Sequence, residues 1–341
     1  MLRVAGAFIL TAVLMSSGCQ SETGNAEPIN KKAPETSFAA DREDEDGGGR
    51  PVAGFDGKRA MGYLEEICKI GPRISGTAGM KKQQELIIKH FKALGATVQK
   101  QTFEAKQRSQ RNPVSMTNLI VSWHPERTRR VILCSHYDTR PIADQEHPRK
   151  WREPFVSAND GGSGVALLME LGNHMKDIKT NVGVDFVFFD GEEYIFDPRL
   201  EGDLYFFGSK HFARTYQKNR PKHRYIAAIL FDMIASPNPR FLAEGHSYLK
   251  AGPLVAQIWK IAAEQNCTAF VDRVGPEVQD DHLALNAVGI PAIDIVPPPF
   301  TDRNGWSYPH WHRLSDVSEN CSKEGLIQVA RVMTVWLQRV K

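Results

Sequence analysis

An apolar run, Val182 to Phe189, leads directly into Asp190, Gly191, Glu192 and Glu193, placing three carboxylates within four residues. Two adjacent glutamates can divide labour at one centre: one ligates a cation while its neighbour faces a substrate as general base. Consecutive residues of an extended turn point in different directions, so both can act there. A solvated turn is the competing explanation. Other apolar segments end in the same way. His136 and Asp138 follow "RRVILCS", Asp232 sits near the end of "YIAAILFDMI", Asn159 and Asp160 lie in "SANDGGSG", and His310, Trp311 and His312 follow "PAIDIVPPPF". Taken singly, most have a structural explanation. His136 and Asp138 could close a turn, Asp160 could cap a helix, and His310 and His312 could be exposed loop residues. Asp232 is harder to explain away, because a carboxylate beside "AAILF" must be paired or bind a cation. Two imidazoles and four carboxylates recurring at segment ends point to a metal site. Mixed imidazole and carboxylate donors without a thiolate select zinc.

The elements that must position these residues are legible. "GKRAMGYLEEICKIG" and "AGMKKQQELIIKHFKALG" carry apolar residues at helical spacing and end near a glycine. "TVQKQTFEA", "MTNLIVSW", "RRVILCSHYD", "VGVDFVFFD", "YIAAILFDMI" and "PAIDIVP" read as strands. "GVALLMELGNHM", "LYFFGSKHFARTYQ", "PLVAQIWKIAAEQ" and "SKEGLIQVARVMTVWLQRV" read as helices. Strands alternating with helices imply an α/β fold. The expectation is a single domain with a central, mostly parallel mixed sheet flanked by helices, and an early antiparallel pair near residues 97–123 at one edge. In such sheets, sites gather at the carboxyl ends of the strands, where these polar residues fall.

The chain has 341 residues, 41% apolar and 24% charged, as a globular protein should. A net charge of +3, from 43 basic and 40 acidic residues, gives no sign of nucleic acid as a partner. "MLRVAGAFILTAVLMSSGCQ" has one arginine, a short apolar stretch and then small residues, which favours an export signal over residues 1–19. Its "SSGC" resembles the cleavage box of bacterial lipoproteins, in which Cys19 would carry the lipid, so any membrane attachment is expected through that anchor. The expected location is the cell envelope, periplasm or exterior. Residues 20–54, poor in large apolar side chains, read as a disordered tether, and 55–341 as the catalytic domain. Cys68, Cys134, Cys267 and Cys321 form no C-x-x-C pair, and Cys134 reads as a buried free thiol.

"CSHYDTRP", "SANDGGSG", "FFDGEEY", "FDMI" and the late histidine, in that order, resemble the zinc-aminopeptidase superfamily, including its animal-type glutaminyl-peptide cyclotransferases. The resemblance runs from about Met61 to the C-terminus. In the two-zinc aminopeptidases it implies Asp160 as bridge, His136 and Asp232 on one zinc, Glu193 and His312 on the other, Glu192 as base, and Asp138 orienting His136. In the cyclotransferases it implies one zinc on Asp160, Glu193 and His312, with Glu192 moving protons, Asp280 holding the substrate amine, Trp311 as an aromatic wall and Asp232 supporting the reaction centre. "FFDGEEYIFDPRLEGDLYFFGSKHFA", "FDMIASPNPRF" and "VQDDHLALNAVGIPAIDIVPPPF" are closer to the cyclotransferase branch, as is Trp311 directly before His312. "NDGGSG" is closer to the aminopeptidases, and Asp294 stands where the animal enzymes have a histidine. The animal disulfide beside the His-Tyr-Asp motif has no counterpart here. The expected reaction is conversion of an N-terminal glutamine of a peptide or protein to pyroglutamate, with release of ammonia. The alternative is a two-zinc aminopeptidase. A tethered binding protein with a dead site finds no support, since no catalytic position is lost.

Overall fold

The structure, a computed structural model, describes residues 54–200, 202–298 and 308–341. The expected export signal, the lipid site Cys19 and residues 20–53 of the tether lie outside them.

Helix α1 (Gly57–Lys69) begins where the Asp56 carboxylate accepts the amides of Lys58 and Arg59, and it buries Ala60, Leu64 and Ile67 on one face. Helix α2 (Ala78–Ala93) is capped by Thr77 and buries Met80, Ile87 and Phe91. Strands β1 (Thr97–Ala105) and β2 (Val114–Trp123) form the expected antiparallel pair. Strands β3 (Arg129–His136), β4 (Gly183–Phe189), β5 (Arg224–Phe231) and β8 (Ala292–Ile295) complete a six-stranded sheet in the order β1-β2-β4-β3-β5-β8. β4, β3, β5 and β8 run parallel, and β2 joins β4 antiparallel. Every residue of β4 is buried, because both faces of the sheet are covered, and this is why its sequence is continuously apolar.

Helix α3 (Ser163–Gly172), also wholly buried, packs on the sheet with α1, α2 and α7 (Lys323–Arg339). Burial of its Val165, Leu167, Leu168 and Leu171 contributes about 1.5–3 kcal/mol each. On the other face lie α4 (Phe207–Asn219) and α6 (His282–Asn286). The fold is the single mixed α/β domain that was expected. Three details differ. The helix expected from Leu204 begins at Phe207, because Phe206 adopts a left-handed φ of 64° that no helix continues through. The helix expected from Pro253 extends back to Gly245 as α5 (Gly245–Glu264) and bends at Ala251, since a proline two residues on removes a helix hydrogen bond. A small parallel pair, β6 (Phe241–Ala243) and β7 (Phe270–Val274), was not expected, because elements so short carry little periodicity. No helix among the described residues is long and apolar enough to cross a membrane.

Candidate metal centre and active site

Three adjacent parallel strands deliver the candidate residues to one edge. β3 ends at His136, β4 ends one residue before Asp190, and β5 ends one residue before Asp232. The loop ahead of α3 brings Asp160, and the segment after β8 brings Trp311 and His312. Backbone geometry fits these loops to the site. Gly161 has a φ of +71°, and a Cβ there would stand 2.7 Å from the Asp138 carbonyl oxygen and from His136 Cε1. Gly191 has a φ of +73° and turns the chain between Asp190 and Glu192, where a Cβ would meet Met116 Sδ at 2.4 Å. Met233 and His312, both larger residues, also hold left-handed φ values of 50° and 53°. Strain of this kind persists where the surroundings fix a side chain for a task.

Asp160 lies between two imidazoles. Its Oδ1 is 3.1 Å from His136 Nε2, and its Oδ2 is 3.5 Å from His312 Nε2. His136 Nε2 also lies 3.2 Å from Asp232 Oδ1, and His312 Nε2 lies 3.0 Å from Glu193 Oε2. Among the described residues three donor groups result, Asp160–Glu193–His312, His136–Asp160–Asp232 and His136–Glu192–Glu193, each with donor atoms within 4.8 Å of one another. Asp160 Oδ2 is buried without a hydrogen-bond partner. An orphaned anionic oxygen between two imidazoles is where a cation fits, and the donor types suit zinc.

The electrostatics agree with this. Burial opposes charge on His312, but Glu193 and Asp144 outweigh it and hold the imidazole proton up to about 9. Burial likewise opposes charge on His136, yet Asp138, Asp160 and Asp232 raise it well above the ordinary value. Each proton stands in for positive charge that a metal would supply in its place. Burial raises Glu193 and Asp232, and the Asp160 carboxylate adds to both. Burial also raises Glu192 well above the ordinary carboxyl value; the His136 charge opposes this, and Glu193 and Asp280 add to it. A glutamate so placed holds a proton more tightly than an ordinary carboxylate does, as a carrier of protons must.

Glu192 and Asp232 line a cavity of about 560 Å³ together with Asp160, Glu193, Asp280, Trp311 and His312. The Trp311 ring stacks on His312 at 4.0 Å and 28°. Asp280 accepts the Asp281 amide at 2.6 Å, and burial, followed by the Asp232 charge, pushes it up to about 7. Asp294 is buried, with burial and then Asp280 raising its carboxyl. His310 turns to Ser315 Oγ at 2.8 Å and does not line the cavity. Asp138 lies 3.6 Å from His136 Nδ1, an ion-pair distance, while its carboxylate accepts the amides of Glu192 at 3.0 Å and Glu193 at 3.3 Å. It therefore fixes the glutamate turn as well as facing His136. Asp160 does not cap α3; Gly162 takes that position. Cys134 is a buried free thiol.

Four supporting residues escaped sequence reasoning. Asp144 Oδ1 is 2.8 Å from His312 Nδ1. Arg140 donates its amide to Glu193 Oε1 at 3.0 Å and pairs with Asp144 through Nε at 3.0 Å. Asp316 accepts the amides of Asn159 and Asp160 and the Tyr308 hydroxyl. Buried Arg73 donates to the carbonyls of Val156 and Ser157, bracing the same loop. Asp144, Asp316 and Arg73 lie in segments with no local pattern to mark them. Arg140 is visible in "HYDTRP", but nothing there says that it reaches Glu193.

Residues 118–337 match the profile of Peptidase family M28. A glutaminyl-peptide cyclotransferase of Drosophila melanogaster is 21% identical over 251 residues, covering 67% of this chain and 68% of that protein. The crystal structure of Fimbriiglobus ruber glutaminyl cyclase superposes with a TM-score of 0.81 at 48% identity, covering 89% of this chain and all (100%) of that one. A leucine aminopeptidase precursor from Bacteroides thetaiotaomicron superposes with a TM-score of 0.78 at 29% identity, covering 85% of this chain and 99% of that one.

Proposed function

The chain belongs to peptidase family M28, and from that premise we propose that it is a zinc-dependent glutaminyl-peptide cyclotransferase, converting the N-terminal glutamine of peptides to pyroglutamate with release of ammonia. The observation that carries this reading is the cavity wall. Asp280, Trp311 and Glu192 share one chamber with the Asp160–Glu193–His312 donor set, and an arrangement built only to activate water needs neither of the first two. Zinc held by Asp160, Glu193 and His312 would supply a Lewis acid for the side-chain amide carbonyl of the substrate.

The remaining chemistry falls to the side chains. Asp280, ionised, receives the substrate's α-amine, and the Trp311 face packs on the glutamine methylenes, bending the chain toward ring closure. The amine nitrogen attacks the side-chain amide carbon. Glu192 takes one proton from that nitrogen and gives it to the departing amide nitrogen, so the new C–N bond forms as ammonia leaves. Asp232, 3.2 Å from His136, holds its charge next to Asp280. The enzyme would work outside the cytoplasm, tethered through Cys19, as the leader sequence suggests.

The completeness of the His136–Asp160–Asp232 set favours one second reading, a two-zinc aminopeptidase. A paired assay separates the two. Purified enzyme is given a glutaminyl-arylamide and a leucyl-arylamide, and zinc per chain is counted. Ring closure with one zinc is expected; leucine release with two zincs overturns the cyclotransferase reading.

A further inference from the structure

We infer that a groove beside the catalytic chamber is a subsite for the substrate polypeptide downstream of its glutamine, selecting an apolar side chain followed by an acidic one. The inference rests on the cyclotransferase reading and extends it. The groove, of about 350 Å³, shares Phe206, Gln279 and Asp280 with the catalytic cavity, so the two are continuous. The residue that would hold the α-amine therefore stands at its entrance. Gln279 is tied to His246 at 2.9 Å, which fixes that shared wall. An extended peptide advances about 3.3 Å per residue, so a chain anchored at Asp280 passes Gln279 and Phe206 within its first two or three residues.

The chemistry of the groove is one-sided. Its floor is apolar, built of Ala213 on α4 and of Leu283, Ala284 and Val288 in and just after α6. Its rim is cationic, with Lys210 and Arg214 one helical turn apart on α4. The Lys210 ammonium is held by the Tyr205 carbonyl at 2.9 Å and lies 5.2 Å from the Phe206 ring centre, whereas the Arg214 side chain is exposed. Lys218 continues the same i, i+4 row. The acids on the facing side, Asp280 and Asp281, are buried, and Asp281 is engaged by Ser209 Oγ. The face presented to solvent is therefore basic above an apolar trough, which complements an apolar residue next to a carboxylate.

The test compares kcat/KM for glutaminamide, Gln-Ala-Ala-Ala-amide, the leucine replacements at its second and third positions, and each of those two peptides with glutamate directly after the leucine. The variants are Arg214→Glu at the exposed rim and Ala287→Trp, whose exposed position lines the groove and would be filled by the ring. In the wild type, one leucine position is expected to raise kcat/KM about tenfold over alanine, and the glutamate about threefold more. Arg214→Glu should abolish the glutamate gain, and Ala287→Trp the leucine gain, while both leave glutaminamide unchanged. Ring closure without these preferences, or equal loss on glutaminamide, overturns the subsite alone. No ring closure on any substrate overturns the reading of the catalytic site, and the subsite with it. A dimer that Arg214→Glu dissolves, with no change in peptide preference, assigns the groove to a second copy of the chain and also overturns the subsite.

Discussion

At the scale of single residues, the site is a crowd of carboxylates that only bound positive charge can reconcile. Asp160, Glu193 and Asp232 face two imidazoles, while Glu192 stands close enough for its neighbours to raise its proton affinity. The pair Glu192–Glu193 follows the turn at Gly191 and is held by Asp138, whose carboxylate accepts both amides. Glu193 is thereby aimed at His312, leaving Glu192 facing the cavity. This division predicts different failures for the two. On the proposed roles, Glu192→Gln would keep the shape and the zinc donors but remove the proton carrier, so kcat should fall by about 10²–10⁴ with zinc content unchanged. Glu193→Gln should lose zinc first. Steady-state kinetics with elemental analysis of both variants checks the assignment; equal zinc loss in both would place Glu192 among the ligands.

At the scale of elements, what the sequence disclosed follows from how each part is encoded. Strands β3, β4 and β5 are buried on both faces, so their continuous apolar runs were readable, and so were the polar residues stopping each run. Asp144 and Asp316 were not readable, because their roles depend on contacts with Asn159, Asp160 and His312 that only the assembled loops create. Asp144 lies 168 positions before His312 in the chain, and no local spacing spans that gap. Phe206 likewise hides its left-handed turn, since phenylalanine gives no sign of one. Loop fit is thus the least legible and most exacting part of the design. Gly161 is the sharpest case. A methyl group there would press on the Asp138 carbonyl and on His136 in a left-handed backbone, so Gly161→Ala should cost about 1–3 kcal/mol and displace Asp160. Denaturant titration and zinc affinity would both register the change. A variant of unchanged affinity would mean that the loop yields more easily than its close contacts imply.

At the scale of the whole molecule, the acidic burden makes folding depend on pH, and on the proposed zinc with it. Asp190, Asp280 and Asp316 are each pushed up to about 7 from an ordinary 3.8, by burial first and then by a neighbouring carboxylate. For Asp280 and Asp316 those neighbours are Asp232 and Asp160, both within the metal donor sets. Across that interval the folded chain holds protons that the unfolded chain has released, so stability falls as pH rises through it. His312 adds a loss at higher pH. Its folded value is raised to about 9 from 6.5, so its stabilising charge is complete below 6.5 and disappears as pH climbs through 9. A cation among Asp160, Asp232 and the imidazoles removes the neighbouring-carboxylate part of the shift at Asp280 and Asp316 and replaces the imidazole protons. The part due to burial should persist at all three carboxyls, and at Asp190 the Asp138 part as well. The metal-free protein is therefore expected to lose thermal stability steadily from about pH 5 to about pH 8, with the zinc form falling less. Near neutrality, zinc at a thousandfold excess over its Kd should add about 4 kcal/mol, or roughly 10 °C in Tm for a domain of this size. Scanning calorimetry of chelated and zinc-loaded protein across that range measures the difference directly. The gap should widen with pH, and one that narrows would mean that the buried carboxylates are relieved by something other than the metal.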